Sequence, residues 1–206
     1  PHFMYPMCSA EQFAASMSRL GIGPDTRVVL YDDMLNIWAA RVWWMLRSFG
    51  FERAAILNGG WKKWLAEGRA VSTEIATPAP APFVCRPRAG FIADRHEVST
   101  AIDDTATCLL HSLDADEYAG RGTIRYQRPG HIPSSVNVSF LDLIDPATQT
   151  YLAAGPLHER FDRVGALSAD RVITYCGGAI AACSTAFAMA LLGHGRDEAP
   201  RHGEPL

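Results

Sequence analysis

The chain repeats itself. Residues 17–32, MSRLGIGPDTRVVLYD, align with residues 161–176, FDRVGALSADRVITYC, at a constant offset. Arg19 falls on Arg163, Gly21 on Gly165, Arg27 on Arg171 and Tyr31 on Tyr175. After a one-residue gap, IWAARVWWMLRSFG (37–50) falls on IAACSTAFAMALLG (180–193). Each copy reads as helix, short turn, buried strand, loop, helix and a glycine stop. Strands that alternate with helices imply parallel sheets covered on both faces. The expectation is an α/β fold of two tandem copies, each a parallel sheet flanked by helices, with the first copy incomplete. The proline-rich TPAPAPF (77–83) can continue neither element type. The partial first copy is therefore placed at 1–75, a linker at 76–90 and the second copy at 91–206.

Composition narrows the function classes. Apolar residues make up 48% of the 206 positions and charged ones 20%, which is the balance of a folded chain. The net charge is −3 and there is no block of basic residues, so neither nucleic acid nor an anionic membrane is an expected partner. The longest apolar stretches hold about a dozen residues, short of the ~20 a membrane helix needs. PHFMYPMCSAEQF at the start has no charged head followed by an apolar core, so no signal peptide is read there. Five cysteines without a CxxC pair argue against a zinc ribbon or a redox dithiol, and suit reduced thiols in the cytoplasm. The seven histidines are isolated, and no phosphate-loop or dinucleotide glycine pattern follows a strand. Neither a metal nor a cofactor is expected.

One cysteine has a special setting. In VITYCGGAIAACSTAFAMALLG (172–193), Val172 to Tyr175 reads as a buried strand and Ile180 to Leu192 as a packed helix. Cys176 opens the turn between them. Sites in parallel α/β sheets form at the carboxyl ends of strands. A residue there faces unpaired backbone N–H groups and the positive end of the helix dipole. Gly177 and Gly178 are expected to let the backbone curl into an anion cradle, which favours a thiolate over a thiol. In the first copy Asp32 stands in place of Cys176, with bulky Met34 and Leu35 near the glycine positions. The second copy is equipped for chemistry and the first is not. Cys183, among Ala181, Ala182 and Ala186, reads as a packing residue.

Three stretches carry a family resemblance: YCGGAIAA (175–182), RPGHIPSSVNVSFLDLID (128–145) and RVWWMLRSFGFERAAILNGGWKKWLAEG (41–68). Together they resemble the tandem rhodanese sulfurtransferases, and the first is similar to the active-site loop of the mercaptopyruvate type. The resemblance implies a catalytically silent first domain and an active second one. It implies that Cys176 takes a sulfane sulfur from thiosulfate or 3-mercaptopyruvate as a persulfide and passes it to a thiol or cyanide. The backbone N–H groups of Gly177, Gly178, Ala179, Ile180 and Ala181 would hold the persulfide. His131 in PGHIP, by the same resemblance, turns the chain into the next strand. Asp142 and Asp145 read as turn and capping residues, and Trp38, Trp43, Trp44, Phe49, Trp61 and Trp64 as core or interdomain packing.

The chain departs from the family in three places. LLHSLDADEY (109–118) has His111 and Leu113 where the family carries an aspartate and an arginine, and Glu117 where several members carry a substrate-binding arginine. The nearest cations, Arg121, Arg125 and Arg128, are the candidates for an anionic donor. The loop after Cys176 lacks a charged or hydroxyl side chain, which leaves the donor open with a lean towards mercaptopyruvate. Both ends look cut, and GRDEAPRHGEPL after His194 shows no strand signal, so a fragment of a longer enzyme with reduced activity is expected, its last strand missing. A phosphatase-type loop needs an arginine six positions after the cysteine, and Ala182 is there. The other competing class is a non-catalytic rhodanese-like module used for binding or regulation.

Overall fold

The computed structural model describes residues 7–121 and 129–194. In the first copy α1 (Ala10–Arg19) starts at Ser9, whose hydroxyl accepts from the Gln12 N–H while the Gln12 side chain returns to the Ser9 N–H. Its buried face is Phe13 and Met17. The parallel pair β1 (Val28–Leu30) and β2 (Ala54–Ile56) is bridged by α2 (Ile37–Ser48) and followed by α3 (Gly60–Ala66). Phe13, Met17, Leu46, Phe49 and Phe51 form its core. Residues 76–90 hold neither helix nor strand. Phe83 from that stretch nonetheless packs into this core, edge-on to Phe13.

The second copy begins with α4 (Arg95–Ala101), capped by Asp94, and builds a parallel sheet in the order β4-β3-β5. Its strands are β3 (Thr107–His111), β4 (Val136–Asn137) and β5 (Arg171–Tyr175), with Thr107 opposite Arg171 and His111 opposite Tyr175. Helices α5 (Ala115–Tyr118), α6 (Ala154–Asp162) and α7 (Ile180–Leu191) complete it. Leu110, Leu143, Leu157, Phe161 and Ala188 make the core. Phe161 is fully buried, a side chain worth roughly 2–3 kcal/mol in burial alone. The stretch 195–206, where the last strand is expected to be missing, lies outside the described residues.

The repeat holds at the level of backbone angles. Gly21 (φ 69°) and Gly165 (φ 74°) take the left-handed conformation at matching turns, as do Gly50 (φ 82°) and Gly193 (φ 93°) at the matching helix stops. The copies pack through their corresponding helices, α2 on α7. Trp43 meets Phe187 edge to face at 4.8 Å. Two bonds between a side chain and the backbone also join the copies: Asn36 Nδ2 donates to the Gln149 carbonyl at 2.9 Å, and the Tyr151 N–H donates to Asn58 Oδ1 at 2.8 Å.

Candidate active site

Cys176 sits half-buried at the carboxyl end of β5. The residue before it is fixed on two sides. The Tyr175 hydroxyl accepts from the Ile132 N–H at 3.0 Å and pairs with Ser135 Oγ at 2.7 Å, while its carbonyl accepts from the Ser112 N–H at 2.9 Å. The strand therefore delivers Cys176 to one place. From there the chain turns through Gly177 and Gly178 into α7, whose first turn has no side-chain cap. The turn differs from expectation in one respect. Its left-handed residue is Ala179 (φ 61°, ψ 12°), not either glycine. The glycines still matter for access, because neither places a side chain over the mouth of the turn.

The first copy shows what such a turn binds. Asp32 follows β1 two residues on, Cys176 follows β5 directly, and α2 also starts from a left-handed residue, Asn36 (φ 62°, ψ 11°). The Asp32 carboxylate accepts three backbone N–H groups: Met34 at 2.8 Å and Asn36 at 2.9 Å on Oδ1, and Ala39 at 2.8 Å on Oδ2. An anion is held there by main-chain amides at the head of a helix. In the repeat, Asn36 falls on Ala179 and Ala39 on Ala182. The second copy starts its helix from the same left-handed conformation after a turn one residue shorter, and carries the Cys176 thiol where the first carries the Asp32 carboxylate.

Cys176 opens into a cleft of about 1000 Å³, lined also by Gly177, Gly178, Ala179, Cys183 and, from the first copy, Arg41. Cys183 is buried among helices, and burial pushes its thiol up to about 11 despite the nearby Arg41 guanidinium. It is a thiol at neutral pH and a poor nucleophile. Burial also pushes Cys85 and Cys108 up.

The other expected residues fall as follows. Arg121 is exposed, paired with Asp116 at 3.0 Å, and is not among the residues lining the cleft. Arg125 and Arg128 lie outside the described residues. His131 stacks on Tyr118 with ring centroids 3.8 Å apart, and its Nδ1 lies 2.8 Å from the Tyr118 carbonyl, a turn-forming role. Asp145 accepts the N–H groups of Ala147 and Thr148, closing a tight turn. His111 is buried, with Nδ1 3.3 Å from Asn137 Nδ2, and burial holds its imidazole below the ordinary histidine value. Arg41 was not among the expected site residues. The available signal was a single charge within the apolar run Ile37 to Leu46.

The sequence profile of the family described as "Rhodanese-like domain" matches residues 4–67 and again 95–199. The chain belongs to the rhodanese-like family. Among curated proteins this rhodanese-like chain is 32% identical over 192 residues to human 3-mercaptopyruvate sulfurtransferase, covering 89% of this chain and 63% of that one. It is 34% identical over 140 residues to the thiosulfate sulfurtransferase of Gallus gallus, covering 67% of this chain and 48% of that one. It thus spans about half to two thirds of the length of these relatives. Its fold matches SseA from Escherichia coli, a 3-mercaptopyruvate sulfotransferase, with a TM-score of 0.79 at 25% identity, over 88% of this chain and 68% of that one. The fold also matches EanB in complex with ergothioneine, with a TM-score of 0.82 at 21% identity, over 92% of this chain and 50% of that one. No described helix is long and apolar enough to cross a membrane, and no described cluster of side chains could hold a metal.

Proposed function

We propose that this rhodanese-like chain is a sulfurtransferase with Cys176 as its nucleophile. The Cys176 thiolate attacks the outer sulfur of thiosulfate; the S–S bond breaks and sulfite leaves with the electron pair. With 3-mercaptopyruvate the same thiolate attacks the thiol sulfur, the C–S bond breaks, and the departing enolate takes the thiol proton to become pyruvate. Either route leaves a persulfide on Cys176. A cyanide or thiolate acceptor attacks its outer sulfur, and the Cys176 thiolate returns. The amides of Gly177, Gly178, Ala179, Ile180 and Ala181 stabilise the negative sulfur at each stage without side chains. A reducing compartment such as the cytoplasm suits a thiol that must cycle in this way.

The observation that carries this reading is the Asp32 carboxylate, held by three amides at the place that Cys176 takes in the second copy. The test is thiocyanate formation from cyanide with each donor in turn. Turnover that disappears in Cys176→Ser and survives in Cys183→Ser supports the proposal. Absence of turnover with both donors would favour a non-catalytic rhodanese-like module.

A further inference from the structure

Ser135 is buried in the turn that leads into β4, and its hydroxyl proton has one destination: Oγ donates to the Ile132 carbonyl at 2.6 Å. A serine hydroxyl carries a single proton. In the 2.7 Å contact between Ser135 Oγ and the Tyr175 hydroxyl, the tyrosine is therefore the donor. The same Tyr175 oxygen accepts from the Ile132 N–H at 3.0 Å. The turn is closed by the Ser135 N–H, which donates to the Ile132 carbonyl at 3.1 Å, and by Tyr118, whose hydroxyl donates to the Ser135 carbonyl at 2.5 Å. Ser135 thus joins a closed turn to the side chain just before Cys176. One residue earlier in β5, Thr174 Oγ1 donates to the Ala182 carbonyl in the first turn of α7 at 3.1 Å. Successive side chains of a strand point to opposite faces, so the two grips pin the end of β5 against rotation about its own axis. The first copy keeps the tyrosine but uses it otherwise: Tyr31 is 58% exposed, meets Trp61 through its ring and precedes Asp32. The grip on the hydroxyl belongs to the copy that carries the thiol.

We propose that Ser135 is a positioning residue for Cys176: through the Tyr175 hydroxyl it fixes the end of β5, and with it the direction in which the Cys176 sulfur enters the cleft. This role rests on the sulfurtransferase reading only for what the sulfur then does. Alkylation by iodoacetamide, mapped to individual cysteines of the intact protein, tests it without sulfur transfer. Ser135→Ala and Tyr175→Phe should each slow alkylation of Cys176 about fivefold, the scale of one hydrogen bond, because a sulfur free to swing spends less time facing the cleft. Both variants remove the same link, so the double variant should be no slower than either single one. Cys108 and Cys183, packed inside the fold, should react as slowly as in the parent. In turnover, kcat should fall by a similar factor while the donor KM stays within about twofold. An unchanged Cys176 rate in either variant, effects that multiply in the double variant, or faster labelling of Cys108 and Cys183, which marks general loosening, overturns the role. Absence of turnover in the parent would instead count against the sulfurtransferase reading, and the alkylation rates would still decide the role of Ser135.

Discussion

Asn36 and Ala179 share one backbone conformation, φ 62°, ψ 11° and φ 61°, ψ 12°, at the heads of α2 and α7. The two helices start alike, although the turn that leads into α7 is one residue shorter. In one copy the turn closes around the Asp32 carboxylate, and in the other it opens onto Cys176. Asp32 is thus a built-in picture of an anion in this kind of cradle. It contributes to the stability of the first copy and supports the chemistry proposed for the second.

Ala179 holds a left-handed conformation that alanine disfavours by roughly 1–2 kcal/mol. Ala179→Gly should therefore raise stability by about 0.5–1 kcal/mol, part of the relief being offset by the greater freedom of glycine in the unfolded chain. Urea denaturation should show a higher midpoint with the same slope. A lower midpoint would mean that the methyl group of Ala179 makes contacts that outweigh the strain.

Asp32→Ala leaves three amides without their acceptor, so it should destabilise the protein by about 1–3 kcal/mol. Asp32→Asn keeps one acceptor oxygen and should lose less. Thermal melting of the two variants checks the order. The Cys176 alkylation rate, read alongside, should stay close to that of the parent, because Asp32 serves the other turn.

His111 gives the fold a dependence on pH. Burial is the main cause that holds its imidazole below the ordinary value, with the nearby His131 acting in the same direction and Asp114 in the opposite one. The unfolded chain therefore binds a proton near pH 6.5, before the folded chain does. Stability should be greatest above about pH 6.5 and should fall as the pH drops below it. His111→Gln should narrow the difference between melting temperatures measured at pH 5.5 and pH 7.5. An unchanged difference would place the proton uptake elsewhere.

Much of this architecture can be read from the sequence, because its signals are local. The span 172–175 was legible as a strand from its β-branched and aromatic residues, and the observed β5 adds only Arg171. The helix after it was legible from an unbroken apolar run, and Cys176 from lying between the two. Ala179 was not legible, since glycine is the usual mark of a left-handed turn and two glycines stood beside it. Nor was Arg41. Its place in the cleft lining comes from packing against Cys183, 142 positions away, and no periodicity within α2 carries that information. Arg121, suggested by nearness in sequence to the motif, is exposed and paired with Asp116 at 3.0 Å.

The most direct test is the intact mass of the protein after incubation with thiosulfate or 3-mercaptopyruvate and removal of the donor. A negative sulfur stabilised at the head of α7 predicts a gain of one sulfur atom, present in the parent and in Cys183→Ser and absent in Cys176→Ser. A sulfur adduct that survives in Cys176→Ser, or no adduct with either donor, would contradict it.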